Sequence, residues 1–512
     1  MKKRALISVS DKNGLVEFAA GLAKLGFDII STGGTYQALA DAGIAAAEVA
    51  EITGFAECLG GRVKTLHPAI HGGILARREN PADMRHLADL AIAPIDLVCV
   101  NLYPFEATIA RPDAAFADAI ENIDIGGPAM IRSAAKNHDS VVVVVDVLDY
   151  GGILAELAAG DIGENRRRAL AGKAFAHTAA YDAMIGWYFD TIAENPYPER
   201  LTLTFNKLAD LRYGENPHQT AAFYADPWPH SLSAAKQLGG RELSYNNIND
   251  ADGALALVRE FDEPAIVAVK HATPCGAAIA KTLTEAYRLA HMADPTSIFG
   301  GIIAANREID GATAALIAEI FAEVIVAPGF SPEALAIFGK KKNLRLLQVD
   351  LAAGCTGPDI KRFAGGILIQ SRDNILADAD KIVVASDRAP SDAEMRDLHF
   401  AMALVKHTKS NGIALAKNGQ SMGFGTGQVS RIKSTNQAIA HACEIFGKDA
   451  LKGAVMASDA FFPFDDCATA AAAAGITAII HPGGSKNDQA TITACNNFNM
   501  AMLLTGTRHF RH

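Results

Sequence analysis

Apolar and polar positions along the first 150 residues alternate between two periods. Ala5 to Val9 is a short continuous apolar run, and Gly14 to Leu25 places Leu15, Phe18, Ala19, Leu22 and Leu25 on one helical face. Phe27 to Ile30, Leu97 to Val100 and Val141 to Val145 read as further strands, and Tyr36 to Ala42 as a second helix. Short apolar strands between amphipathic helices predict a doubly wound α/β domain with a largely parallel sheet, whose ligands bind beyond the carboxyl ends of the strands. Residues 163 to 194 read as helix and lead into Glu194-Asn-Pro-Tyr-Pro-Glu199. Two prolines in three residues mark a linker, so the expected domains are 1–198 and 199–512.

The second region contains a recurring stretch. Val269-Lys270-His271 to Lys281 returns as Val405-Lys406-His407 to Lys417, with seven of thirteen positions identical. Apolar runs lead into each copy, Ala265 to Val269 and Ala401 to Val405, and both read as strands ending in a polar pair. The recurrence predicts a duplicated unit, with α/β subdomains of mixed sheet at roughly 199–380 and 381–512 and strand ends facing one site.

Composition narrows the function. A chain of 512 residues exceeds one hydrophobic core, and a net charge of −10 argues against a general nucleic-acid binder while leaving room for local anion pockets. The apolar tract from Ala468 to Ile480 is broken by Gly475, which excludes a bilayer span. Seven cysteines without a C-x-x-C spacing give neither a disulfide framework nor a zinc knuckle and fit a reducing cytoplasm.

Several loops of the first region have phosphate-binding character. Ser8-Val-Ser10-Asp11-Lys12 and Ser31-Thr-Gly-Gly-Thr35 each follow a strand and open a helix, whose N-terminal N–H groups attract anions. Neither fits the dinucleotide or Walker patterns. Gly60-Gly-Arg62-Val-Lys64-Thr65-Leu-His67-Pro68-Ala-Ile-His71 packs two cations and two imidazoles together; Pro68 between the histidines argues against a helical zinc motif. Asp124-Ile-Gly126-Gly127-Pro opens a helix carrying Arg132 and Lys136, and Asn101-Leu-Tyr103-Pro adds a phenol. Cations, hydroxyls and one carboxylate suit a phosphorylated substrate whose reactive end needs proton transfer and carbonyl polarisation.

Ser-Val-Ser-Asp-Lys, Gly-Gly-Arg-Val-Lys-Thr-Leu-His-Pro, Asn-Leu-Tyr-Pro-Phe, Asp-Ile-Gly-Gly-Pro, Ala-Ala-Lys-Asn-His, Leu-Arg-Tyr-Gly-Glu-Asn-Pro-His-Gln, Lys-His-x-x-Pro-Cys-Gly and Ser-Asp-Ala-Phe-Phe-Pro-Phe occur in that order. In this the chain resembles the bifunctional purine-biosynthesis family that joins an AICAR formyltransferase to an IMP cyclohydrolase, from Ser8 to Arg508-His-Phe-Arg-His512. The resemblance implies a methylglyoxal-synthase-like domain that closes the purine ring, followed by a formyltransferase of two cytidine-deaminase-like folds. It also implies 10-formyltetrahydrofolate as cosubstrate and a homodimer with transformylase sites at its interface. Pro274-Cys275 is followed by Gly-Ala-Ala, so the deaminase zinc signature is missing and no metal is expected.

By resemblance, His271 moves the proton of the attacking amine and Lys270 stabilises the oxyanion. Arg212 and Tyr213 are candidates for the substrate phosphate. Asn247, Phe299, Gly300 and Arg508 match further nucleotide contacts, and Asn411, at the place of Cys275 in the repeat, matches an orienting asparagine. Arg431, Phe461 and Asp466 match the folate pocket. In ring closure, Ser10, Lys12 and Thr35 hold phosphate, with Arg62, Thr65 and Asn101 as further substrate contacts. Lys64 or the Gly126 and Gly127 N–H groups stabilise the alkoxide, and Tyr103, Asp124 and Lys136 move protons. Two other readings remain open at this point: a first domain that only senses a phosphorylated effector, and a zinc nucleoside deaminase.

Overall fold

The computed structural model describes residues 2–226, 232–351, 357–377 and 381–512. The chain forms two compact units, Met1–Thr204 and Phe205–His512.

In the first unit, β1 (Arg4–Val9), β2 (Asp28–Ser31), β3 (Ala46–Glu48), β4 (Leu97–Asn101) and β5 (Val142–Val144) form a parallel sheet in the order β3-β2-β1-β4-β5. Ala5 to Ile7, Leu97 to Val100 and Val142 to Val144 are buried, which explains their uninterrupted apolar runs: a parallel strand covered on both faces has no polar side. The helix Leu15–Lys24 buries Leu15, Phe18, Ala19 and Leu22 against that sheet. Burying Leu15, Phe18 and Leu22 contributes roughly 1.5–3 kcal/mol each. The third strand, only three half-buried residues, had no sequence signal.

Pro68 does not prevent a helix. Pro68–Leu75 is helical with proline in its first turn, where the missing N–H costs nothing, and the His67 ring caps it by accepting from the Ala69 N–H at 3.1 Å. The helix Glu164–Ile192 runs for 29 residues.

In the second unit, β6 (Asn206–Leu211) and β7 (Ala221–Ala225) form a hairpin. Then come β8 (Lys236–Gly239), β9 (Ala265–Lys270), β10 (Thr273–Ile279), β11 (Ile302–Ala305), β12 (Val324–Ala327) and β13 (Arg345–Gln348). A small hairpin, β14 (Asp359–Phe363) with β15 (Gly366–Gln370), precedes β16 (Val383–Val384), β17 (Ile413–Lys417), β18 (Gln420–Gly425), β19 (Val455–Ser458), β20 (Ala478–His481) and β21 (Ala501–Leu504). The strands join one twelve-stranded sheet, β16-β21-β20-β19-β17-β18-β10-β9-β11-β12-β13-β8, rather than a separate sheet for each subdomain. The order reads the same from either end, with antiparallel β10 and β18 at the centre. The expected border at 380/381 abuts residues 378–380, which lie outside the described residues.

The two Lys-His pairs do not occupy matching strands. Ala265 to Lys270 is β9, whereas Ala401 to Lys406 lies in the helix Asp392–Lys406. That helix is buried over nearly its whole second half, so it presents an apolar run without helical period. The structural equivalents lie 147 positions apart. Ser244 and Ser391 each cap a helix with a capping box, and six positions later Asp250 and Asp397 each take two backbone N–H groups of the following hairpin turn. Lys270-His271-Ala272 therefore corresponds to Lys417-Asn418-Gly419. Cys275 corresponds to Met422, both at a bulge, and not to Asn411.

Candidate functional site

In the first unit the loops after β1, β2 and β4 meet the segment 60–66 and the start of the helix Gly126–Lys136 around a cavity of about 550 Å³. Ser10, Lys12, Thr35, Arg62, Lys64, Thr65, Asn101, Tyr103, Asp124, Gly126 and Gly127 all line it. Two helix N-termini open into it, Gly33–Asp41 and Gly126–Lys136, and first-turn N–H groups of a helix lack intrahelical acceptors. Lys12 Nζ donates to the Val9 and Ser10 carbonyls at 3.2 and 3.4 Å, which brings its charge to the first of these termini. Lys64 pairs with Glu57 at 2.9 Å and crosses so close to Gly61 that a Cβ there would stand 3.1 Å from Nζ.

Close packing explains the glycines at the second terminus. A Cβ on Gly126 would lie 2.6 Å from Thr65 Oγ1, and one on Gly127 2.5 Å from Asp124 Oδ2. The Gly127 N–H donates to Asp124 Oδ1 at 2.7 Å. Burial pushes the Asp124 carboxyl up, against the pull of backbone N–H donors from Gly127 and Tyr103. Tyr103 is exposed at the rim.

Several of these lining residues also bond within the scaffold. The Thr35 hydroxyl is buried and exchanges hydrogen bonds with the Val9 N–H and carbonyl at 3.0 and 2.9 Å, stitching the two phosphate-type loops together. Asn101 accepts from the Ser10 and Asp11 N–H groups, fixing the first loop. Arg62 pairs with Glu121 in the open. Lys136 departs furthest from expectation. It ends the eleven-residue helix that Gly126 begins, roughly 15 Å along the axis, and lies in a separate groove with Arg132, His138 and Phe175. Tyr181 was not anticipated: its hydroxyl accepts from the Asp124 N–H at 2.9 Å and donates to the Asn122 carbonyl, holding Asp124 from the long helix. Its signal, a tyrosine amid a helix, is indistinguishable from core.

In the second unit Lys270 and His271 sit at the β9–β10 turn. His271 has φ +54° and Ala272 φ +53°, a left-handed pair that costs non-glycine residues about 1–3 kcal/mol each. Asp250 holds the turn, accepting from the N–H of His271 at 3.0 Å and of Ala272 at 2.8 Å. His271 is exposed, and the half-buried Lys270 donates through Nζ to the Phe299 carbonyl at 2.9 Å. Phe299 is itself exposed, and Gly300 after it takes φ +73°. Arg212 lies over the Tyr213 ring at 4.7 Å and donates to its hydroxyl. Their loop reaches the helix Tyr245–Val258 where Asn246 Nδ2 donates to the Glu215 carbonyl. Asn247 is buried, and its Oδ1 accepts from the Ser244 N–H in the capping box at the start of this helix. Burial pushes the Cys275 thiol up to about 12, which suits packing and not nucleophilic attack.

The opposite half gathers a buried network. Arg431 pairs with the fully buried Asp459, donates to Ser458 Oγ at 2.8 Å and to Asn411 Oδ1 at 2.7 Å. Asn411 Nδ2 donates to the Gln428 carbonyl at 2.8 Å. Arg431 thus holds Asn411 from inside the fold. Lys406 and His407 both contact Glu260 at 2.8 Å, and Arg511 donates to His407 Nδ1 at 3.1 Å. His407 is therefore neutral, with its Nε2–H directed at Glu260; burial lowers its pKa. Arg508 is exposed over the Phe510 ring at 4.4 Å. Of the phenylalanines, Phe462 is core, whereas Phe461 and Phe464 remain exposed beside Asp466, the first residue of its helix.

Among the described residues no group of three or more metal-type side chains converges, and no helix is long and apolar enough to cross a membrane.

Sequence comparison matches residues 134–441 to the AICARFT/IMPCHase bienzyme family and residues 14–129 to the MGS-like domain. The bifunctional purine biosynthesis protein PurH of Acetivibrio thermocellus is 54% identical over all of both chains. PurH of a Bacillus cereus strain is also 54% identical, again over all of both. A solved structure described as that of ForH is 43% identical, covering 37% of this chain and all of its own, with a TM-score of 0.34 that carries nothing about the fold. The chain belongs to the AICARFT/IMPCHase bienzyme family. It is a bifunctional enzyme of purine biosynthesis, catalysing the formyl transfer and cyclohydrolysis that complete IMP, which sets aside the effector-only and deaminase readings.

Proposed function

We propose that the cavity of the first unit closes the purine ring and that the β9–β10 turn of the second transfers the formyl group from 10-formyltetrahydrofolate to AICAR. The observation that carries the second assignment is the exposed His271, next to Lys270, on a turn held against its own backbone preference. In the transfer, the 5-amine of AICAR attacks the formyl carbon, a C–N bond forms, and the carbonyl electrons move to oxygen. Lys270 stabilises that oxyanion, His271 takes the amine proton, and the proton is returned to the folate nitrogen as its bond to carbon breaks. Arg212 and Tyr213 bind the nucleotide phosphate, with Arg508, Phe299 and Gly300 along its length and Asn411 orienting the carboxamide. Phe461 and Phe464 offer an apolar slot for the folate ring, with Asp466 as acid partner.

In ring closure the carboxamide nitrogen attacks the formyl carbon of the same molecule, and water leaves. Intramolecular attack makes positioning the largest demand, which a cavity with two helix termini and Lys12 for the phosphate meets. Lys64 and the Gly126 and Gly127 N–H groups stabilise the alkoxide; Asp124 and Tyr103 move the protons. Lys136, at the far end of its helix, is assigned no step here.

The mirrored sheet order supports a duplicated, cytidine-deaminase-like second domain. The absent zinc signature supports metal-free transfer. The exposure of His271 and Arg212 supports a homodimer whose subunits complete each other's transfer sites, the cysteine spacing supports a cytoplasmic location, and the linker before Phe205 supports a border near 198. The test is to feed the purified chain AICAR with 10-formyltetrahydrofolate, following formyl-AICAR and IMP separately. A folded fragment of residues 1–198 should cyclise supplied formyl-AICAR without folate.

A further inference from the structure

We propose that Asp250 is a positioning residue for formyl transfer, fixing the direction of His271 by holding its backbone; this rests on the assignment of His271 above. A two-residue hairpin turn with both φ values positive is best formed by Asn-Gly, because asparagine tolerates and glycine prefers the left-handed region. The second half of the sheet has that sequence, Asn418-Gly419, and Asp397 accepts both of its N–H groups at 2.6 and 2.7 Å. The first half has the same turn with His271-Ala272, neither of which prefers it.

The turn-forming residues have thus been exchanged for a side chain with chemistry, and the carboxylate of Asp250 takes over the work of holding the backbone. Asp397 duplicates what its turn sequence already does. Asp250 does not. The same helix carries Asn246, which donates to the Arg212 loop at Glu215, so the helix also registers the imidazole against the expected phosphate site. Release of the turn leaves the imidazole rotating about a mobile backbone, and a misplacement on the order of 1 Å costs about a hundredfold in rate.

The experiment uses the full-length enzyme and measures formyl transfer, with cyclisation of supplied formyl-AICAR and thermal unfolding as controls. Asp250→Ala should lower the kcat of transfer by ~10–100-fold with little change in the KM for AICAR. Asp250→Asn, which keeps one acceptor oxygen, should fall between. Asp250→Ala/Ala272→Gly should recover several-fold, because glycine accepts the turn unaided. Asp397→Ala should leave transfer within about twofold. Asp250→Ala/His271→Ala should be no slower than His271→Ala alone, a non-additivity that general destabilisation does not produce. Asp250→Ala at the parent rate, with His271→Ala impaired, overturns the proposal alone; so does additivity in the double variant. His271→Ala at the parent rate overturns the His271 assignment and the proposal with it.

Discussion

The two candidate sites are built on opposite plans. The first unit collects side chains from five loops around a half-open cavity, with glycines where helix starts approach Thr65, Asp124 and Lys64. The second sets a lysine and an exposed histidine on one antiparallel hairpin, braced from behind by Asp250. A molecule that reacts with itself needs confinement, which parallel strand ends supply. A reaction between two large ligands needs access, and the hairpin tip supplies that while backbone strain and a carboxylate supply precision. Each plan makes a different lesion informative.

The largest effect should come from His271→Ala, which removes the proton-transfer group and should slow formyl transfer by ~10²–10⁴-fold while leaving cyclisation of supplied formyl-AICAR unchanged. His407→Ala is the matched control. It should lower the melting temperature, because Glu260 and Arg511 lose a buried partner, yet cost transfer no more than several-fold. Equal damage from both would erase the distinction between the hairpin and the buried network.

Asp124→Asn comes next and should lower kcat for cyclisation by ~10–100-fold without touching transfer. Its stability effect has a definite sign. Asp124 lies above its ordinary range in the folded chain, so folding favours the protonated form. That contribution is complete below the unfolded carboxylate range and is lost as pH rises through the raised folded value. At neutral pH the variant should melt at the same temperature or higher, and the acid limb of parental kcat should fall above the usual carboxylate range.

Lys12→Ala should raise KM for formyl-AICAR by about five- to tenfold with little change in kcat, since a phosphate contact persists from ground state to transition state. Lys136→Ala, at the far end of its helix, should leave both constants within about twofold; a large loss of kcat would mean that the cavity has been drawn around the wrong residues.

The parallel sheet was legible because apolar strands and amphipathic helices alternate at distinct periods. The cavity was legible because its loops carry glycine, hydroxyl and cation together. What escaped was register. The Lys-His recurrence aligns β9 with a helix, since a helix buried on all sides loses its period. The spacing of 147 is visible only in capping serines, turn-holding aspartates and positive-φ positions, which encode backbone geometry without contiguous identity. Lys136 lies at the far end of the helix that Gly126 begins, and adjacency in a motif says nothing about which end of a helix faces a ligand. Arg431 matches the folate pocket by motif, whereas its ion pair with Asp459 shows only once the fold brings two strand-end loops together.

The most direct measurement of the two-site account mixes full-length His271→Ala with full-length Asp124→Asn and supplies AICAR and 10-formyltetrahydrofolate. Alone, His271→Ala should convert only supplied formyl-AICAR, and Asp124→Asn should accumulate formyl-AICAR. Together they should restore IMP formation. A His271→Ala enzyme unable to cyclise supplied formyl-AICAR, or a mixture that makes no IMP, would contradict the assignment of two chemistries to two separate sites.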